Sequence, residues 1–119
     1  MQYMLLIYND EAATADWSEA ERGADMAAWF SYTGELGQSG KLRSGEALHP
    51  VATATTVRGA SDGPIVADGP FAETKEQLGG YFVIEATDLD DAIAWAGKMP
   101  HIPRGGKVEI RPVAVFDGQ

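Results

Sequence analysis

The chain has 119 residues, 45% of them apolar, so it is one domain of ordinary size with enough apolar surface for a core. It contains no cysteine, which excludes disulfides, thiolate nucleophiles and cysteine-ligated zinc. The net charge of -9 is spread along the chain, repels phosphate backbones and argues against direct nucleic-acid binding.

Met1 to Tyr8 lacks the basic start and long apolar core of a signal peptide, and no apolar stretch approaches the ~20 residues a membrane span needs. The expectation is a soluble, cytoplasmic protein. Tyr3 to Tyr8 (YMLLIY) is a short, nearly continuous apolar run, which predicts a strand buried on both faces. Asn9 to Asp16 is polar and Ala-rich and reads as a loop. Ser18 with Glu21 three residues on forms a capping box and opens a long helix. Met26, Trp29, Phe30, Thr33, Leu36 and Gly37 recur at three- and four-residue steps and predict its inner stripe, and Gly40 ends it.

Lys41 to Leu48 reads as a strand interrupted by Gly45, and His49-Pro50 closes it. Thr53 to Arg58 is rich in β-branched residues, Asp62-Gly63 is a hairpin signal, and Pro64 to Ala67 is the return strand. Gly80 to Ala86 is the next strand. Asp88 caps a second helix with Asp91 in its first turn; Leu89, Ala92, Ile93 and Ala96 predict its inner face. Pro100 and Pro103 close it. Val108 to Phe116 is the last strand, with Glu109 and Arg111 on its outward side.

This order defines an α+β fold: one ferredoxin-like domain over residues 1–119, with an antiparallel sheet, both helices on one face and a hairpin insertion. The opposite sheet face also carries apolar residues and needs cover. A second copy of the chain can supply it, so a homodimer is expected.

Asp68-Gly69-Pro70-Phe71-Ala72-Glu73-Thr74-Lys75-Glu76 packs a tight turn, one aromatic and four ionisable side chains into nine residues. Gly79-Gly80-Tyr81-Phe82 follows. With Gly45-Glu46-Ala47-Leu48 and Val108-Glu109-Ile110-Arg111-Pro112-Val113, these segments resemble the YCII-related proteins, in the branch named for its DGPF motif. The resemblance spans essentially the whole chain. It implies a dimeric α+β barrel, in which the sheets of two subunits face each other, with a pocket between sheet and loops. It implies small-molecule chemistry by a His and Asp pair, including halide removal from a lactone ring, and a link to sigma factors of the extracytoplasmic-function type. One departure stands out. The relatives carry the His in the first helix, and the corresponding stretch here, Asp25-Met26-Ala27-Ala28-Trp29-Phe30, has none. Within the matched motif, Asp68 is the candidate acidic partner.

Asp68 beside Phe71 and Tyr81 can serve as a general base of raised proton affinity; as an Asp in a turn it can equally accept backbone N–H groups and only shape the loop. Lys75 can hold an anionic substrate while Glu73 or Glu76 moves a proton, or the three form a solvated cluster of weak ion pairs. His49 can replace the missing helix His, or it is a loop His in water, and His101 carries the same two readings. Arg111 can grip a carboxylate in bidentate fashion or pair with Glu109. Trp29 and Phe30 read as core or dimer contacts. The histidines lack metal-ligand spacing and Gly79-Gly80 lacks a nucleotide-loop context, so neither metal nor cofactor is expected. Gly79-Gly80 instead allows close packing or a bulge. The functional expectation is a small-molecule pocket near the motif, lined by Asp68, Phe71, Glu73 and Tyr81 with His49 at hand, and cofactor-free acid–base chemistry of the isomerase or lyase type. The alternative is a non-catalytic regulatory partner of an extracytoplasmic-function sigma factor.

Overall fold

β1 (Gln2–Asn9) alternates: Tyr3, Leu5 and Ile7 are buried, while Met4, Leu6 and Tyr8 are half-buried. The expectation of a strand buried on both faces is therefore corrected to one face, because helices cover only that side. The computed structural model describes residues 1–116; the last three positions of the expected domain lie outside it. β1 pairs antiparallel with β5 (Gln77–Glu85) on one side and β6 (Lys107–Pro112) on the other, and β2 (Leu42–Ala47) completes the sheet in the order β2–β5–β1–β6. With α1 (Glu19–Gln38) and α2 (Leu89–Gly97), this is the ferredoxin-like arrangement.

α1 starts at the capping box as read: the Glu21 N–H donates to Ser18 Oγ and the Ser18 N–H to Glu21 Oε1, both at 3.1 Å. Its core-facing residues differ from the expected stripe. Tyr32 and Leu36 are buried and Trp29 packs beside them, whereas Met26 is 59% and Phe30 71% exposed. The Tyr32 hydroxyl donates to the Trp95 carbonyl at 2.8 Å, which lets an aromatic with a polar tip enter the core and ties the two helices together. Burial, helped by the nearby Glu35 charge, pushes this phenol well above its ordinary range.

Asp88 caps α2 through the Asp91 N–H at 2.8 Å. Ala92, Trp95 and Ala96 face the core; Leu89 and Ile93, expected inside, are half exposed. Lys41 Nζ donates to Asp91 at 2.6 Å, and the Thr87 N–H and hydroxyl add two bonds, which together hold the Asp91 carboxyl down at about 2. β6 stops at Pro112 and does not reach Phe116, because its partner β1 runs out at Gln2.

At the far end of the sheet, register skips Gly79 between Ile7 and Tyr8, so the expected bulge falls on the glycine pair. Gly80 is needed for a different reason: a Cβ there would lie 2.6 Å from the Glu46 carbonyl. β3 (Thr55–Ala60) and β4 (Gly63–Asp68) form a separate two-stranded arm between β2 and β5, turning at Gly63 with φ +114°. Strand alternation leaves Met4, Leu6, Tyr81 and Val83 on the sheet face opposite the helices, with Glu46, Glu85, Glu109 and Arg111 around them. No described helix is long and apolar enough to cross a membrane.

Candidate functional site: a cleft beside the first helix

The row Ala47–Gly80–Ile7 lies on the helix-facing side of the sheet and is small at its outer end. α1 passes over that end without filling it. The result is a recess of about 370 Å³ under Trp29 and Phe30, opening into a cleft of about 940 Å³ along the first half of α1. That volume suits a small organic molecule. The second wall is the helical turn Glu11–Thr14. The Glu11 N–H donates to Gln77 Oε1 at 2.9 Å, and Glu11 Oε2 accepts from the Val51 N–H at 3.2 Å, which pins the turn to β5 and to the arm's root.

Four side chains bring charge to this space: Glu11, Arg22, Asp25 and Arg104. Arg104 Nη1 donates to Asp25 Oδ1 at 3.1 Å, and the same guanidinium lies 4.8 Å above the Trp17 ring. Arg22 Nη2 donates to the Thr14 and Ala15 carbonyls at 3.0 Å each. Both guanidiniums keep N–H groups without a partner among the described residues. Asp25 Oδ2 is likewise open. The cleft therefore offers aromatic walls, two anchored cationic donors and two carboxylates, of which Glu11 is held by the Val51 N–H and Asp25 keeps Oδ2 open.

Behind Trp29, 5.3 Å from its ring, sits His101, with no exposed surface. The expectation of a loop histidine in water is corrected here: Pro100 and Pro103 turn the chain so that the ring points inward. Its Nε2 lies 3.0 Å from the Lys107 carbonyl; a carbonyl can only accept, so Nε2 carries the proton and the buried Nδ1 has no partner. Burial foremost, and then the Arg104 charge, push this imidazole below its ordinary value, against the Lys107 carbonyl and Asp25. The folded state thus binds fewer protons than the unfolded one. Stability is complete above the unfolded value of ~6.5 and falls as pH drops below it, by up to about 1.4 kcal/mol per pH unit. Urea midpoints from pH 7.5 to 5.5 should show this fall, and His101→Gln should flatten it; an equal slope in that variant would assign the effect elsewhere.

One chain does not assemble the residues expected from the motif into a pocket. Asp68 is exposed at the end of β4, and its carboxylate makes no hydrogen bond among the described residues. The turn is held by backbone instead: Gly69 has φ +94°, its N–H donates to the Ala54 carbonyl at 2.7 Å, and its carbonyl accepts from Thr56 Oγ1 at 2.7 Å. Phe71 is 90% exposed. Glu73 and Lys75 are exposed, and among the described residues neither makes an ion pair; Glu76 pairs with Lys107. Tyr81 and Arg111 share the open sheet face, where Arg111 makes no pair with Glu109, whose carboxylate is met by the Tyr8 hydroxyl at 3.4 Å. His49 is exposed, between Leu48 and Pro50, which both border the cleft. The arm carries the motif away from its own sheet, and that is why these residues stay apart. Trp17, Arg22, Asp25 and Arg104 did not stand out in the sequence. Arg22 and Asp25 lie on α1, Trp17 just before it and Arg104 across most of the chain, and only the Pro-His-Ile-Pro-Arg turn, unusually rigid for a surface link, could have drawn attention to Arg104.

A sheet with helices on one face, an open opposite face and a cleft at the sheet's end define a ferredoxin-like α+β protein with a small-molecule-sized site. The model of the YCII-related domain matches residues 1–117, and the chain belongs to that family. An uncharacterized protein of Rhizobium meliloti strain 1021 is 38% identical over 117 residues, covering 98% of this chain and 94% of the relative. Among solved structures, the 5-chloro-2-hydroxyhydroquinone dehydrochlorinase of Burkholderia phenoliruptrix AC1100, in complex with 2,5-dihydroxybenzoquinone, is similar in fold. Its TM-score is 0.54 at 16% identity, with 96% of this chain and 94% of that chain covered.

Proposed function

We propose that the protein binds a small, flat, negatively charged organic molecule in the cleft beside α1 and acts on it by acid–base chemistry of the isomerase or lyase type. The Asp25–Arg104 pair, set against Trp17 in a cleft with aromatic walls, carries this reading. A ring packs on the aromatic surface of Trp29 and Phe30, the open N–H groups of Arg104 and Arg22 take its anionic oxygen, and Asp25 Oδ2 accepts a proton from it. The stretch in which the resemblance places a histidine thus supplies a carboxylate. The bound dihydroxybenzoquinone of the similar dehydrochlorinase, a flat oxygen-bearing ring, supports the same class of ligand.

The test is titration of the intrinsic tryptophan fluorescence with benzoate and with benzyl alcohol. Benzoate should bind more tightly, and Arg104→Ala should weaken it by roughly tenfold while barely moving benzyl alcohol. Equal binding of both probes, unchanged by Arg104→Ala, would overturn the reading. A homodimer through the open sheet face belongs to the same reading: four apolar side chains ringed by charge are the surface that a second sheet would cover.

A further inference from the structure

The motif that dominates the sequence plays no part in the cleft of its own chain, and the arm that carries it touches little else. β3 and β4 pair only with each other, and neither packs on another helix or strand to any extent. Val57, Val66 and Phe71 are exposed along the arm and its loop. The radius of gyration is 16.5 Å, against roughly 13 Å for a compact chain of this length, so the arm reaches well outside the body. A lone two-stranded hairpin is marginal in water and gains stability only when its apolar side chains are covered.

From these features we infer that the arm and the Phe71 loop dock on a second copy of this chain and close that copy's cleft. This rests on the cleft being the ligand site. Three observations select the second copy as occupant. First, the cleft's lip presents the exposed apolar side chains of Met26, Phe30 and Leu48, which match those of the arm. Second, the charges can pair: Asp68, Glu73 and Lys75 have no ion-pair partner among the described residues, while the cleft holds Arg22 and Arg104 with open N–H groups beside the Glu11 and Asp25 carboxylates. Third, no residue of the arm or of the Phe71 loop lines the cleft of its own chain. Bonds from Gly69 to Ala54 and Thr56, and from Gln77 Nε2 to the Thr74 carbonyl at 2.6 Å, hold the loop's local shape. Every copy has one arm and one lip, so reciprocal exchange between two copies satisfies both and closes on itself. The exchange delivers Asp68 of one subunit to the guanidiniums of the other.

The cysteine-free chain gives a clean test. Phe71→Cys and Phe30→Cys are made as separate variants, and each alone and their equimolar mixture are held under a mild oxidant. Both positions are exposed in the single chain, so both variants should keep the parent's circular dichroism; Leu48→Cys replaces Phe30→Cys if that one does not fold. The mixture should give several times more covalent dimer than either variant alone. A double variant that closes only within one chain places the arm on its own cleft and overturns the proposal. So does faster self-linking of Phe71→Cys alone, which makes arms meet arms, and so does absence of a link in a protein that sediments as a dimer. Benzoate binding in an unlinked protein would leave the cleft reading standing and sink the exchange alone; loss of both would sink both.

Discussion

Replacing Gly106 with alanine should cost about 3 kcal/mol or more and lower the melting temperature by roughly 10 °C. A Cβ at this position would lie 2.1 Å from His101 Cδ2, 2.5 Å from its Cγ and 2.7 Å from its carbonyl oxygen. Neither obstacle can yield easily. The ring has no exposed surface and is packed beside Trp29, and the carbonyl already accepts the Gly106 N–H at 2.9 Å. Moving the ring would break its bond to the Lys107 carbonyl and leave both ring nitrogens buried without partners, a desolvation penalty added to the steric one. Gly34→Ala is the matched control. Gly34 lies inside α1, a Cβ there meets nothing within 4 Å, and the change should raise stability by about 0.5–1 kcal/mol. Urea denaturation of the two variants beside the parent decides the matter. A Gly106→Ala protein as stable as the parent would mean that His101 does not sit where it is drawn.

How far this fold can be read from its sequence depends on the residue. Local hydrogen-bonding chemistry is legible: Ser18 with Glu21 and Asp88 with Asp91 start their helices where the residue types say they must. Strand order follows from the alternation of elements, and the Gly79-Gly80 pair signals its bulge. The faces of the helices are harder. Counting apolar residues puts Met26 and Phe30 inside α1, yet Tyr32 is a residue the core takes, because its hydroxyl finds the Trp95 carbonyl 63 residues away, a partner that local periodicity does not reveal. Met26 and Phe30 are apolar for a different purpose, at the lip of a cleft, and a periodicity cannot tell a cleft from a core. Leu89 and Ile93 on α2 are likewise apolar and yet half exposed.

The candidate site was legible only in part for a related reason. The Asp68 motif was conspicuous because its residues are contiguous. The charged cleft residues are not: Arg22 and Asp25 on α1 meet Arg104 across most of the chain, through a turn whose geometry depends on burying His101. His101 itself gave no local sign of burial beyond the Gly105-Gly106 pair that follows it, where a ring lies against backbone.

If two copies pair through the open sheet face as proposed, replacing Leu6 with lysine should convert that dimer to a monomer without unfolding it. Leu6 sits at the middle of the open sheet face, beside Tyr81 on one side and Glu109 on the other. In a single subunit the new ammonium is harmless: it stands half in water, its stem covers apolar surface, and it gains a cross-strand partner in Glu109. Between two facing sheets the same group is buried, and two-fold symmetry buries it twice. The effective penalty is several kcal/mol per ion, which a standard interface cannot absorb. Sedimentation at micromolar concentration should therefore give twice the chain mass for the parent and the chain mass for Leu6→Lys, with native circular dichroism in both. The choice of lysine matters, since a carboxylate at this position would oppose Glu109 and weaken the sheet itself, confounding assembly with folding. If the parent sediments as a monomer at every concentration tried, the open face is not an interface, and the exchange of arms falls with it. If both proteins are dimers, the subunits pair elsewhere and Met4, Leu6, Tyr81 and Val83 need another explanation.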